Sequence, residues 1–128
     1  MITYLWIAIG SALGGAARYG FTLWAARAWG ETFPWGTLVV NVSGSFVIGF
    51  FAAITGPDGR WMVSSRFNSF FTAGLCGGYT TFSSFSLQTL RLAQEGEALH
   101  AGANVLASVA LCLAAVWLGH AAGQVLNR

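Results

Sequence analysis

The chain has little charge of either sign. Only 8% of its 128 residues are Asp, Glu, Lys or Arg, and no lysine is present. Soluble domains carry about 25% charged residues, whereas this chain is 55% hydrophobic with a mean hydropathy of +0.63. The composition excludes an ordinary soluble domain and predicts an integral membrane protein. A formal net charge of +2 also argues against nucleic-acid binding.

Cysteine is scarce as well, with two residues in the chain. Cys76 and Cys112 both lie in apolar segments without neighbouring metal ligands, so we interpret them as packing residues. The connections between apolar segments are too short to hold a catalytic domain. No nucleophile, base and acid can be assembled from the polar residues, so we expect a single membrane domain over residues 1–128 and no enzyme.

Long runs without Asp, Glu, Lys or Arg separate the charged residues: 26 residues at 32–57, 24 at 67–90 and 30 at 98–127. Each run exceeds the roughly 20 residues that a helix needs to cross the hydrocarbon core. The N-terminal segment, 3–24, is interrupted only by Arg18. The sequence therefore predicts an all-α membrane protein with four transmembrane helices.

The third segment is too long for one straight helix. An unbroken helix over residues 60–92 would be ~50 Å long, which exceeds the bilayer core. Glycines and threonines lie at its centre, so we expect residues 77–81 to be non-helical. Unwound backbone in a membrane must be buried in protein or line a cavity, where carbonyls can hold a cation and amides an anion. Alternatively, the glycines only permit tight packing.

Aromatic and hydroxyl side chains follow the predicted break. Phe82 and Phe85 are three residues apart and share a helix face, and Ser83 and Ser84 lie beside them. A phenyl ring has a positive edge and a hydroxyl group donates hydrogen bonds. Together they suit the path of a small anion through a site that lacks a full positive charge.

Other apolar segments contain isolated polar residues. Asn41 must find hydrogen-bond partners, either as a pore-lining residue or in contacts between helices. Asn104 and Ser108 are four residues apart and form a polar pair on one helix face. Arg18 is costly against lipid, so it would either attract anions at a vestibule or extend to the interface.

The arginines hardly distinguish the two sides of the membrane. Arg60, Arg66 and Arg128 fall on one side and Arg27 and Arg91 on the other, which is a weak orientation signal. Four short helices are also few to enclose an aqueous path. We therefore expect an antiparallel, dual-topology homodimer. Glycines at positions 10, 14, 15, 44 and 49 would serve packing within the chain or between two chains.

Three segments resemble the Fluc fluoride channels, also called the CrcB family: GSALGGAARYG at 10–20, GTLVVNVSGSFVIG at 36–49 and GLCGGYTTFSSFS at 74–86. The last motif is the most specific, and the fourth helix matches only loosely. The resemblance implies an antiparallel homodimer with two pores, which exports fluoride passively from the cytoplasm across the bacterial inner membrane. Its partners would be fluoride, sodium, membrane lipid and a second copy of the chain.

The resemblance also implies roles for particular residues. The pore-lining side chains would be Asn41, Phe82, Ser83, Ser84, Phe85 and Ser108. Backbone carbonyls of Gly77 and Thr80, with their symmetry-related pair, would hold a structural Na⁺ at the centre of the dimer. Arg18 would match the arginine of the family's first helix, at a vestibule.

Three positions depart from the family pattern. Ser84 stands where threonine is usual, and the hydroxyl group is kept. Gln88 stands where many members have glutamate, which removes the one carboxylate expected near the pore. Cys112 stands where some members have serine, so the polar path is weaker there.

Two other classes of protein remain alternatives. A small multidrug-resistance-type antiporter also has four short helices and dual topology, but it needs a carboxylate within the membrane, and the four apolar segments contain none. A membrane scaffold would use the glycine faces and polar residues for packing alone. Fluoride efflux from liposomes distinguishes a channel from a scaffold.

Overall fold

The computed structural model describes residues 1–128, and all of its regular structure is helical. Helix α1 spans Ile2–Trp29 and α2 spans Trp35–Thr55. Helix α3 consists of Ser65–Ser69, a π-helical segment Phe70–Cys76 and a last turn Gly77–Tyr79. Helix α4 spans Phe82–Gln94 and α5 spans Ala98–Asn127. The chain thus has four helical units, of which the third is divided into α3 and α4.

The break in the third unit is narrower than predicted. Only Thr80 and Thr81 are extended, with φ/ψ of −82°/159° and −153°/119°. The prediction that residues 77–81 are non-helical is wrong for residues 77–79, which form the last turn of α3. The reason lies in packing: a Cβ on Gly78 would come 2.6 Å from the Ser11 carbonyl oxygen of α1. Gly78 therefore permits close approach between helices rather than unwinding.

Two helices are long and apolar enough to cross a membrane. Helix α2 has 21 residues with a mean hydropathy of 1.9, and α5 has 30 residues with a mean hydropathy of 2.0. At 1.5 Å per residue α2 is about 32 Å long, close to the thickness of the hydrocarbon core. These helices agree with the prediction of an all-α membrane protein.

Small residues bring the helices together in two pairs, α1 with α3 and α2 with α5. A Cβ on Gly14 would come 2.7 Å from the Tyr79 backbone nitrogen, and one on Gly49 would overlap the Val116 carbonyl. Gly10 is restricted by backbone atoms of α3, and Gly44 by the side chains of Tyr79 and Thr80 at the break. Gly15 has no neighbouring atom closer than 4.0 Å. Of the two uses predicted for these glycines, packing within the chain is confirmed for all but Gly15.

Candidate functional site

Asn41 of α2 forms hydrogen bonds with the non-helical backbone of the break. Its Oδ1 accepts from the Thr81 amide nitrogen at 2.8 Å, and its Nδ2 donates to the Thr81 carbonyl oxygen at 3.0 Å. Backbone groups that leave a helix inside a membrane need such partners, because lipid offers none. One side-chain amide therefore satisfies the Thr81 N–H, which has no helical partner, and gives a second donor to the Thr81 carbonyl, which as the N-cap carbonyl also accepts the first bond of the following helix.

The break leaves the carbonyl groups of Gly77, Gly78, Tyr79 and Thr80 without their helical donors, and for Gly77 and Thr80 the donor is bonded elsewhere. In an α-helix the Thr81 N–H would bond the Gly77 carbonyl, but here it bonds Asn41. The Ser84 N–H would likewise bond the Thr80 carbonyl, but it donates to the Thr81 hydroxyl at 3.1 Å. These carbonyls lie in the last turn of α3 or directly after it, where the helix dipole favours a cation.

Helix α4 begins directly after the break, with Thr81 as its N-cap. The Thr81 hydroxyl accepts the Ser84 N–H bond and lies 3.3 Å from the Ser83 hydroxyl. Phe82 and Phe85 lie on the first turn, with ring centroids 5.3 Å apart and planes inclined by 53°. Phe85 is 8% exposed, whereas Phe82 is 78% exposed in the isolated chain. The two rings thus share one face, as predicted, but only one is covered by the chain's own helices.

A cavity of about 420 Å³ opens beside the break. It contains no Asp, Glu, Lys, Arg or His. Its lining comes from α2, α3, α4, α5 and the break itself: Asn41, Gly44, Ser45, Ile48, Thr72, Cys76, Gly77, Thr80, Thr81, Phe82, Phe85, Ser108, Val109, Cys112 and Leu113. The cavity therefore combines uncharged hydrogen-bonding groups with phenyl rings, a surface suited to a small ion that is held without a counter-charge.

A chain of hydrogen bonds joins α4 to α5 behind this cavity. The Ser108 hydroxyl donates to Asn104 Oδ1 at 3.4 Å, and Asn104 Nδ2 donates to the Thr89 hydroxyl at 3.0 Å. The Thr89 hydroxyl donates in turn to the Phe85 carbonyl at 2.8 Å. Asn104 is only 2% exposed, and both ends of its amide take part in this connection between the two helices. The sequence pair Asn104 and Ser108 thus forms a buried connection to the Phe85 turn.

Of the predicted pore residues, the structure brings four into the cavity lining: Asn41, Phe82, Phe85 and Ser108. Ser83 and Ser84 lie outside the lining, although Ser83 contacts it through the Thr81 hydroxyl. Arg18 is half-buried on α1 and lines neither this cavity nor the other two large ones. The carbonyl residues Gly77 and Thr80 both reach the cavity.

Sequence reasoning missed three hydroxyl residues of the lining, namely Ser45, Thr72 and Thr81. Ser45 follows Asn41 by four residues, so the helical period already places the two on one face of α2. Thr72 and Thr81 had no comparable signal. Their places depend on the π-helical segment and on the exact position of the break, which residue types alone do not fix.

A second cavity of about 420 Å³ lies along the far half of α4. One face of this helix lines both cavities in succession: Phe82 and Phe85 line the first, and Gln88, Arg91 and Glu95 line the second. The Gln88 Oε1 atom is buried without a hydrogen-bond partner. Gln88 is the first residue of this face to reach the second cavity.

Comparison with known proteins agrees with this architecture. The family model described as "CrcB-like protein, Camphor Resistance (CrcB)" matches residues 5–120. A protein of Paramagnetospirillum magneticum called "Fluoride-specific ion channel FluC" is 59% identical over 128 residues, 100% of both chains. Proteins of the same name from Rhodospirillum rubrum and Methylocella silvestris are 58% and 57% identical, over 99% and 98% of this chain and 98% and 95% of their own. The chain belongs to the CrcB family.

Proposed function

We propose that this chain forms a fluoride-selective channel through which fluoride leaves the cytoplasm passively. The observation that carries the proposal is the cavity beside the break, where hydroxyl groups, an asparagine amide and two phenyl rings meet without any charged side chain. Relatives named as fluoride-specific channels align with the whole chain at up to 59% identity, which supports the same ion.

An uncharged lining suits conduction of a small anion. An ion must bind well enough to enter and weakly enough to leave. Ring edges and O–H or N–H donors supply partial positive charge. In this proposal Phe82 and Phe85 present their edges to the ion, while Asn41, Ser83 and Ser84 provide polar contacts along its path. Ser108 would contribute its hydroxyl hydrogen by exchanging its 3.4 Å bond to Asn104 for a bond to the ion.

The face around the break favours a dimer. Gly77, Phe82 and Ser83 are exposed in the isolated chain, and the free carbonyl of Gly77 lies among them. Lipid cannot satisfy a polar backbone group, so a second protein surface must cover it. A second copy of the chain fits this place, and a homodimer would complete one pore on each side of its axis.

The distribution of the arginines supports an antiparallel arrangement. Their distribution, three on one side and two on the other, scarcely biases insertion, so both orientations would occur in one membrane. In a bacterium that membrane is the inner membrane, where α1 and the interrupted α3–α4 unit would cross beside α2 and α5. Arg18 would lie near one mouth of the pore and raise the local concentration of anions.

The free carbonyls at the break fit a structural sodium ion. Gly77 and Thr80 lack their helical donors because Asn41 and Thr81 take them. Unwound carbonyls and helix C-terminal ends are the groups that coordinate Na⁺ in membrane proteins. In the proposed dimer, two carbonyls from each copy would hold the ion on the axis. The positive charge of the ion would hold the break of one copy next to the break of the other copy.

Proton-coupled antiport has no support in the chain. All four acidic residues, Glu31, Asp58, Glu95 and Glu97, lie at helix ends or in connections and are exposed. A proton relay in a membrane needs an ionisable group within the span. A scaffold with no transport activity is the remaining alternative.

The test is ion efflux from liposomes that contain the purified protein and are loaded with potassium fluoride or potassium chloride. Valinomycin supplies the counter-current, and ion-selective electrodes record each halide. We expect rapid fluoride efflux without chloride efflux. Equal efflux of both ions would refute selectivity for fluoride. No efflux of either ion would leave a scaffold without transport activity as the remaining interpretation.

A further inference from the structure

We propose that Ser45 is a fluoride-contacting residue whose hydroxyl, together with the free N–H of Asn41, forms an anion subsite on α2. The inference rests on the proposed channel function and names donors within the same cavity. It rests on which donor hydrogens of the cavity lining are already used in hydrogen bonds and which are free to bind an anion.

Most hydroxyl hydrogens of the cavity are already engaged. Thr72 and Thr80 each donate to the backbone carbonyl four residues earlier, at 2.8 and 2.9 Å. Ser108 donates to Asn104 Oδ1 at 3.4 Å. A hydroxyl group has a single hydrogen, so these three present only lone pairs to the cavity. Lone pairs repel an anion, and each residue would have to break a bond before it could bind one.

The Thr81 hydroxyl is partly engaged. It accepts the Ser84 N–H at 3.1 Å and shares a hydrogen bond with the Ser83 hydroxyl at 3.3 Å. One hydrogen of this pair is used in that bond, whichever oxygen donates it. Because Ser83 lies outside the lining, Thr81 and Ser83 together offer the cavity at most one hydroxyl hydrogen, at the edge of the lining.

Ser45 differs from all of these residues. It lines the cavity, and its hydroxyl has no hydrogen-bond partner, not even the backbone carbonyl one turn earlier that serine often uses in a helix. The Ser45 hydroxyl oxygen is not buried, so an ion in the cavity can reach it. The Ser45 hydrogen is therefore free to point at an ion in the cavity.

Asn41 supplies the second donor. Its Nδ2 uses one of two hydrogens on the Thr81 carbonyl at 3.0 Å, and no other partner takes the second. Asn41 and Ser45 are four residues apart on α2, which places them on one face about 6 Å apart along the helix axis. An anion between them can accept from both while the Asn41 bonds to the break remain intact.

The chain offers a matched control two residues away. The Ser43 hydroxyl is engaged with the Val40 carbonyl at 3.1 Å and with the Tyr79 hydroxyl at 2.9 Å. Ser43 lies on the same helix but does not line the cavity. Ser43→Ala and Ser45→Ala thus remove the same group from one helix, and only the second removes a free donor from the cavity.

The experiment measures fluoride efflux from proteoliposomes over a range of fluoride concentrations for wild type, Ser45→Ala, Ser45→Thr and Ser43→Ala. A hydrogen bond to a charged group is worth enough to change binding about tenfold or more. We expect Ser45→Ala to raise the half-saturating fluoride concentration by about that factor, and Ser45→Thr to retain the wild-type value. Ser43→Ala should keep the wild-type half-saturating concentration.

Loss of folded channels lowers the maximal flux without moving half-saturation, so the two effects are separable. If Ser45→Ala is not monodisperse in detergent, Ser45→Cys serves instead, since a thiol keeps the volume but is a weak donor. A half-saturating concentration that is unchanged in Ser45→Ala, or moved equally in Ser45→Thr, overturns the subsite alone. A wild-type protein without fluoride efflux overturns the channel and the subsite together.

Discussion

Asn41 and Thr81 form a two-way hydrogen-bonded pair, in which a side-chain amide on α2 takes the place of a backbone partner for an extended residue between α3 and α4. The pair has a structural and a chemical consequence. It stabilises the break, and it diverts the Thr81 N–H from the Gly77 carbonyl. One residue of α2 thereby contributes to the set of backbone groups at the break that are free to bind an ion.

Replacement of Asn41 should therefore destabilise the protein. Asn41→Ala leaves the Thr81 N–H without a partner, at a cost of about 1–3 kcal/mol, and removes one of the donors to the Thr81 carbonyl. We expect a lower melting temperature in detergent, measured by intrinsic tryptophan fluorescence. The control is Asn68→Ala, because the Asn68 side chain is exposed and makes no hydrogen bond, and its backbone carbonyl still accepts from Thr72. Equal melting temperatures for the two variants would contradict the role of Asn41.

The phenyl rings at the start of α4 should matter for transport more than for stability. Phe82→Ile and Phe85→Ile keep an apolar side chain but remove the positive ring edge. On the scale of an edge-to-face aromatic pair, about 0.5–1.5 kcal/mol, fluoride efflux should fall by up to about tenfold. Phe46→Ile is the matched control, since Phe46 is a half-exposed phenylalanine of α2 outside the cavity. Efflux that falls equally in Phe46→Ile would show that the loss is not specific to the cavity.

Much of the fold was predictable from where charges are absent. Runs without Asp, Glu, Lys or Arg gave the helical units, and the excess length of the third unit predicted its interruption. The exact place of the break was not predictable in the same way. Gly77 and Gly78 are poor helix formers, yet they remain helical because α1 packs directly against that turn. Tertiary packing overrode local propensity there.

The site was predictable to the extent that its residues stand out in an apolar sequence. Asn41, Phe82, Phe85 and Ser108 lie together in one cavity. Which hydroxyl hydrogens are free was not predictable, because it depends on bonds between and within helices. Ser45 looks like an ordinary helical serine in the sequence, and only the lack of a partner in the structure sets it apart.

The proposed dimer predicts an asymmetry between two glycines that both have room for a side chain. A Cβ on Gly77 would meet only the Thr72 carbonyl at 3.5 Å, and one on Gly102 would meet nothing within 4 Å. In an isolated chain both substitutions by alanine should be neutral or favour the helix by up to about 1 kcal/mol. In the dimer, Gly77→Ala places a methyl group at the covered face.

We therefore expect Gly77→Ala to shift the protein from dimer to monomer in detergent, and Gly102→Ala to leave the dimer intact. Multi-angle light scattering with size-exclusion chromatography measures the difference. A stable dimer of Gly77→Ala would place the interface elsewhere.

The same samples test the sodium site. If Gly77 and Thr80 hold sodium, the melting temperature should rise with NaCl but not with N-methylglucamine chloride, and this rise should be lost in Gly77→Ala.

The adjacent glycines Gly14 and Gly15 provide the sharpest test of the packing between α1 and α3. A Cβ on Gly14 would overlap the Leu75 carbonyl and come 2.7 Å from the Tyr79 nitrogen, both backbone atoms that cannot move aside without moving the helix. Gly15, one residue later, has its nearest such atom at 4.0 Å. Overpacking costs about 1–3 kcal/mol, whereas a free glycine in a helix gains up to about 1 kcal/mol on replacement by alanine. Gly14→Ala should therefore unfold at lower SDS fraction in mixed micelles and Gly15→Ala at the same or higher fraction. Because Tyr79 is the last residue of α3 before the break, displacement of this helix by Gly14→Ala should also lower fluoride efflux, while Gly15→Ala should conduct as wild type does.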